Sequence, residues 1–223
     1  MWNRHLSRAT AWCLGVLCLI GASRPVLAAE TLFNGKDLDG WRYYLVDHAV
    51  GMDDVWSVRN GVLVCKGDPL GYLYTKKAFK NYRLQVEWRW PGKPGNSGLF
   101  QRLNGKPGFL PRCMEVQLQS GNAGDIYAFQ GMSLSGDSAR FRNIKHKELG
   151  DFVGVAKITG NEKDPGEWNL AEVVVDGSTI KVWVNGKLVN EATNCEVVAG
   201  PIGLQSEGGE IEFRKVEVAP LPD

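Results

Sequence analysis

The sequence has almost no net charge, little histidine and, past its N-terminal stretch, no long apolar run. Lysine and arginine number 26 against 25 aspartate and glutamate. With no basic excess to neutralise phosphates, a dedicated nucleic-acid binder is excluded. The histidines are His5, His48 and His146. In the absence of a CxxC pair, an HExxH helix or an Asp-x-Asp-x-Asp-Gly loop, nothing in the spacing marks a metal centre. Beyond the N-terminus no segment approaches the roughly 20 apolar residues that cross a bilayer as a helix. Neither a sustained helical period nor a repeat of about 20–50 residues is present, which excludes helical bundles, propellers and solenoids.

What is present begins with a leader. Arg4, His5 and Arg8 precede an apolar run from Ala9 to Ala22, and Val26-Leu27-Ala28 gives the small-residue pattern that a signal peptidase accepts. The expectation is a signal peptide over residues 1–28, cleaved after Ala28, and a periplasmic or secreted protein with no integral membrane span. Cleavage removes three arginines and no acid, so 23 basic residues face 25 acidic ones in the mature chain, residues 29–223. Cys65, Cys113 and Cys195 remain, enough for one disulfide and one thiol or for three buried thiols. With 43% hydrophobic residues, the mature chain can bury the core of one domain.

The mature chain reads as antiparallel β. Asn60-Gly61 joins Trp56–Arg59 to Val62–Val64, and Asp176-Gly177 and Asn185-Gly186 punctuate a meander through Leu170–Val175, Thr179–Val184 and Lys187–Val189. Further strands are expected at Gly71–Thr75, Tyr82–Trp90, Gly98–Leu103, Met114–Gln119, Ile202–Ser206 and Ile211–Val218. That many short strands without βα alternation predict an all-β jelly-roll sandwich of two antiparallel sheets. Ser120 to Gly166 is rich in Gly, Asp, Asn and Lys and is expected to be a long irregular loop region, with weak strand signals at Ile126–Phe129 and Phe152–Ile158. Its aromatics, Tyr127, Phe129, Phe141 and Phe152, favour an ordered loop.

Alternation sorts the polar residues. Along Tyr82–Trp90, Arg83, Gln85, Glu87 and Arg89 share one face; along Met114–Gln119, Glu115, Gln117 and Gln119 do. The two strands read as adjacent, joined by Arg102 on a third. Glu, Gln and Arg beside aromatic groups suit a sugar, whose hydroxyls take paired donors and acceptors and whose ring faces take aromatic platforms. Asn96 after the Pro91–Gly95 turn, Gln205 with Glu207 at a strand end, and His146 in the long loop join that candidate set.

Several blocks carry a resemblance. Leu32-Phe33-Asn34-Gly35-Lys36-Asp37-Leu38-Asp39-Gly40-Trp41, Glu87-Trp88-Arg89, Gly95 to Arg102, Glu115-Val116-Gln117-Leu118, Gly166-Glu167-Trp168-Asn169 and Gly203 to Gly209 occur in order. With them the chain, from about Thr31 to Val218, resembles the 3-keto-disaccharide hydrolase domain family. The resemblance implies a concanavalin A-like sandwich, export, and cleavage of glycosides oxidised at C3. The sequence departs at Glu207, where many members carry histidine. For this chemistry Glu115 is the expected base, Arg102 the group that steadies an enolate, Asn96, Gln117, Gln119, Gln205 and His146 the substrate contacts, and Glu87 and Glu207 further base, acid or ligand candidates. The chemistry and the resemblance also imply a divalent cation as a possible cofactor. A non-catalytic carbohydrate-binding module and a surface scaffold domain are the alternative classes. The oligomeric state and the particular sugar stay open.

Overall fold

The computed structural model describes residues 28–222; the expected leader, its cleavage site aside, lies outside them. In chain order the strands are β1 (Glu30–Thr31), β2 (Trp41–Leu45), β3 (Trp56–Arg59), β4 (Val62–Cys65), β5 (Gly71–Thr75), β6 (Tyr82–Arg89), β7 (Gly98–Asn104) and β8 (Arg112–Gln117). They continue as β9 (Ile126–Ala128), β10 (Phe141–Ile144), β11 (Phe152–Val155), β12 (Asn169–Asp176), β13 (Thr179–Val184), β14 (Lys187–Ala192), β15 (Gly203–Ser206) and β16 (Ile211–Pro220). One four-residue helix, α1 (Met52–Val55), is the helix of the described residues.

The strands form two antiparallel sheets. The first runs β14-β13-β12-β6-β16-β4-β3 with β1 beside β16; the second runs β10-β11-β9-β8-β7-β15-β5-β2. Their facing sides bury one apolar core, to which β6 gives Leu84, Val86 and Trp88 and β8 gives Met114, Val116 and Leu118 just past its end. This is the expected sandwich. Two of the expected two-residue turns hold, with left-handed φ of 51° and 78° at Asn60 and Gly61 and of 50° and 79° at Asn185 and Gly186. At the third, Asp176 pairs with Thr179, so the turn is Gly177-Ser178, one residue later than read.

The Ser120–Gly166 stretch is largely irregular, as expected, and its two weak strand signals become β9 and β11; β10, which with them extends the second sheet beyond β8, is not expected. Strand β10 escapes a reading by alternation because Arg142 and Asn143 are exposed on it, as suits a sheet edge. Strands β6 and β8, read as adjacent, are not neighbours. β6 bonds to β12 and β16, β8 to β7 and β9, so their polar faces belong to different sheets.

The two sheets also differ in cover. β6 alternates buried with partly exposed residues, as a sheet with one wet face should. β8 is buried from Cys113 to Gln117, because loops cover the outer face of the second sheet. There Tyr72, Phe100, Leu103, Cys113 and Phe129 form a second apolar cluster, with Leu110 of the β7–β8 loop packed on it. Cys65, Cys113 and Cys195 are all buried free thiols. Among the described residues no helix is long and apolar enough to cross a membrane.

Candidate functional site

The outer face of the second sheet opens into a cavity of about 420 Å³. Its floor follows from strand register. Tyr127, Glu115 and Phe100 pair directly across β9, β8 and β7, and one rung along, Gln117 pairs with Gly98 and Gln205 with Tyr72. Register thus puts Glu115, Gln117 and Gln205 side by side on one face.

Glycine makes the room. A Cβ on Gly98 would fall within the Glu115 carboxyl group, so that carboxyl occupies the space that any other residue at 98 would fill. Asn96 and Glu207 are brought opposite each other by an isolated antiparallel bridge. The Asn96 N–H donates to the Gly208 carbonyl at 2.8 Å, and the Ser97 hydroxyl donates to the Gln205 carbonyl at 2.8 Å.

The cavity lining includes Asn96, Glu115, Gln117, Gln119, His146, Gln205 and Glu207. The expected substrate contacts therefore converge, together with both carboxylates of the outer face. The structure does not bring Arg102 or Glu87 there. Arg102 sits where the β7–β8 register shifts between Gln101 and Asn104, with φ of 53°, so alternation no longer tells its direction. Its guanidinium is fully buried and donates to the carbonyls of Lys80, Gly177 and Glu196 at 2.6–3.1 Å. Glu87 points from the first sheet and pairs with Arg214.

Electrostatically the site is a carboxyl pair in a largely buried floor. Burial, and then repulsion by Glu207, pushes the Glu115 carboxyl well above its ordinary value. Burial raises Glu207 too, while the side-chain amides of Gln205 and Asn96 pull it back. Three buried acceptor oxygens, Glu115 Oε1, Asn96 Oδ1 and Gln205 Oε1, have no hydrogen-bond partner. Orphan acceptors together at the base of a cavity are what a ligand carrying hydroxyl donors would satisfy.

Donors are available as well. Gln117 Oε1 accepts from the N–H groups of Leu118 and Gln119 at 2.9 Å, leaving its NH₂ as the free end. His146 Nδ1 accepts from the N–H groups of Glu148 and Leu149 at 3.2 and 3.1 Å, which puts the proton of the neutral ring on Nε2. Gln119 is tied to Asn122, whose amide donates to it at 2.8 Å.

An aromatic wall completes the cavity. Phe129 lies 5.0 Å from Phe152, and Tyr127 lies 5.9 Å from Phe152, between ring centroids. Phe109, on the β7–β8 loop, lines the mouth and is 44% exposed. Sequence reasoning noted Tyr127, Phe129 and Phe152 only as a sign of order, and passed over Phe109, Leu110 and Leu149. The usable signal was aromatic content in a polar loop region opposite a Glu/Gln strand.

Among the described residues no group of three or more His, Cys, Asp or Glu could hold a metal ion, so a nitrogen- or thiolate-rich centre does not fit. Glu115, Glu207 and the orphan amide oxygens of Asn96 and Gln205 do fit a hard divalent cation, which prefers oxygen ligands.

Residues 28–219 match the model of the 3-keto-alpha-glucoside-1,2-lyase-like domain. The chain belongs to that family. As a member of the 3-keto-alpha-glucoside-1,2-lyase-like family, it is 26% identical to a 3-keto-disaccharide hydrolase of Bacteroides thetaiotaomicron, over 86% of this chain and 78% of that protein. The family's likeness to known glycoside-acting proteins extends to structure. A Parabacteroides distasonis protein assigned by inference to the glycosyl hydrolases superposes with a TM-score of 0.63 at 19% identity, covering 87% of this chain and 94% of that one. A Bacillus licheniformis β-glucanase gives 0.56 at 12% identity, covering 86% and 97%. These structural likenesses place the fold among the concanavalin A-like jelly rolls, as the family resemblance implies, and agree with the two-sheet sandwich that the strand pattern predicts. Family and relatives together support a glycoside-acting protein.

Proposed function

We propose that this chain is an exported enzyme that cleaves 3-keto-glycosides, including 3-keto-disaccharides, by C2 proton abstraction, β-elimination and hydration. A ketone at C3 acidifies the C2 hydrogen. A base takes that proton and the electron pair moves onto the ketone oxygen as an enolate. The enolate then expels the glycosidic oxygen from C1, and the departing oxygen takes a proton. Water adds to the resulting C1–C2 double bond, oxygen to C1 and hydrogen to C2, so the net change is hydrolysis. The parts required are a base, an acid and donors facing the enolate oxygen.

The observation that carries this reading is the Glu115–Glu207 pair at the cavity floor. Its two environments push the carboxyls apart, and such a split assigns acid and base. Glu115, whose charged form is opposed by burial and then by Glu207, gives a proton to the leaving oxygen. Glu207, kept closer to the ordinary carboxylate range by Asn96 and Gln205, takes the C2 proton. Glu115, expected from sequence to be the base, is thereby read as the acid, and Glu207, a base, acid or ligand candidate there, as the base. With Arg102 in the interior, the Gln117 NH₂ and the His146 Nε2–H are the donors for the ketone oxygen. Asn96 and Gln205 accept from sugar hydroxyls, and the aromatic wall takes the ring face. A divalent cation, if bound, would be held by the orphan amide oxygens of Asn96 and Gln205 in place of their contacts to sugar hydroxyls, and would supply Lewis-acid polarisation of the ketone.

Turnover in D₂O tests the route. The early product, sampled before the free ketone exchanges unaided, should carry one deuterium at C2. Product without deuterium would mean direct displacement at C1 and would remove the elimination.

A further inference from the structure

A second depression of about 520 Å³ lies beside the cavity and shares Phe109, Leu110 and Leu149 with it. Its remaining wall includes Lys106 from the β7–β8 loop, Arg112 at the start of β8, Gln130 from the turn after β9, and Glu148. The two spaces are thus separated by little more than an apolar sill formed by two loops. The carboxyl pair lies on one side of that sill only.

We infer that the outer depression is the leaving-group subsite, and that it takes a second neutral sugar ring while the oxidised ring occupies the cavity. This rests on the glycoside-cleaving reading of the cavity and adds where the other half of the substrate lies. An aglycone cut from a ring held in the cavity needs space next to it, and the outer depression adjoins the cavity along Phe109, Leu110 and Leu149, which line both. Phe109, exposed on a Gly/Pro-rich loop and shared by both spaces, offers a platform for the apolar face of a ring crossing it. Beyond it the wall offers both signs of charge and both kinds of hydrogen-bonding group, which suits hydroxyls rather than an ionic ligand. The Arg112 guanidinium is held in place by Glu196 at 2.7 Å. Gln130 stands in a tight turn with φ of 54°.

The test compares a 3-keto-disaccharide with the methyl 3-keto-glucoside, which has no second ring. Lys106→Ala/Glu148→Ala changes two residues of the outer depression that do not line the cavity, and Phe109→Ala removes the sill's aromatic group. Both should raise KM for the disaccharide about tenfold, the scale of losing one stacked or hydrogen-bonded ring contact. KM for the methyl glycoside should stay within about twofold for the double variant. Equal effects on the two substrates, or no effect of either variant on the disaccharide, would overturn the subsite. If the wild-type protein turns over neither substrate, the catalytic reading fails, and calorimetry with the same sugars decides the subsite. Tighter binding of the disaccharide than of the methyl glycoside, lost in the double variant, would support it. Equal affinities would overturn it.

Discussion

Burial and the neighbouring Glu207 both oppose charge on Glu115, so the folded protein keeps a proton there that the unfolded chain releases above its ordinary value. Stability from this group is therefore fullest below the ordinary value of 4.5 and declines as the pH rises from there through the folded value. Each pH unit in that window costs about 1.4 kcal/mol at most. Glu115→Gln should flatten the decline, leaving a variant at least as stable as wild type at neutral pH; melting temperatures across this pH range would show parallel curves if the carboxyl were unperturbed. The same variant lacks the proposed acid, so kcat on a 3-keto-glycoside should fall about 10²–10⁴-fold. Arg102 predicts the reverse division. Arg102→Ala removes a donor from three part-buried carbonyls, at Lys80, Gly177 and Glu196. Denaturant unfolding should register a loss on the order of 3 kcal/mol, while the folded fraction keeps its kcat. A kcat loss without a stability loss would return Arg102 to the chemistry. At this scale the sequence was readable where alternation held, as for Glu115 and Gln117, and misleading at Arg102, where a register shift and a left-handed φ turn the side chain away.

Strand β7 matters to the site through what it omits. Gly98 faces Gln117 across the ladder and leaves open the volume that the Glu115 carboxyl fills. Gly98→Ala should displace that carboxyl and lower kcat about 10²-fold, as expected for a misplaced catalytic group. Near-UV circular dichroism and melting should still report a folded sandwich. An unchanged kcat would mean that Glu115 is not held against β7. The hairpins were legible because Asn-Gly turns demand a left-handed backbone and fix the register on either side. The pairing of β8 with β9 was not, because the connection between them carries polar turn residues and β9 is three residues long. The adjacency of β6 and β8 was misjudged for a related reason. Alternation tells which residues share a face but not which strand lies beside which, and here a polar face on each sheet looked like one.

At the scale of the molecule, two sheets of similar size divide the work. The first turns charged residues such as Glu87, Arg89, Glu212 and Arg214 outward in ion pairs. Over the second sheet the loops build an apolar cover that leaves one acid-floored cavity. The sandwich itself was legible from strand count, turn spacing and the lack of helical period, since these set the layer architecture. The cavity was half legible: its polar floor lies on regular strands, while its aromatic wall and mouth lie on loops whose placement depends on tertiary packing. Near-neutral charge, which first excluded nucleic acid, agrees with a site for a hydroxyl-rich ligand. The most direct measurement of the proposed activity incubates the purified chain of residues 29–223, with and without EDTA, with a 3-keto-disaccharide and with its unoxidised parent. Release of 3-ketoglucose from the oxidised substrate alone is the predicted result. Equal cleavage of both sugars, or binding of both with cleavage of neither, would contradict it.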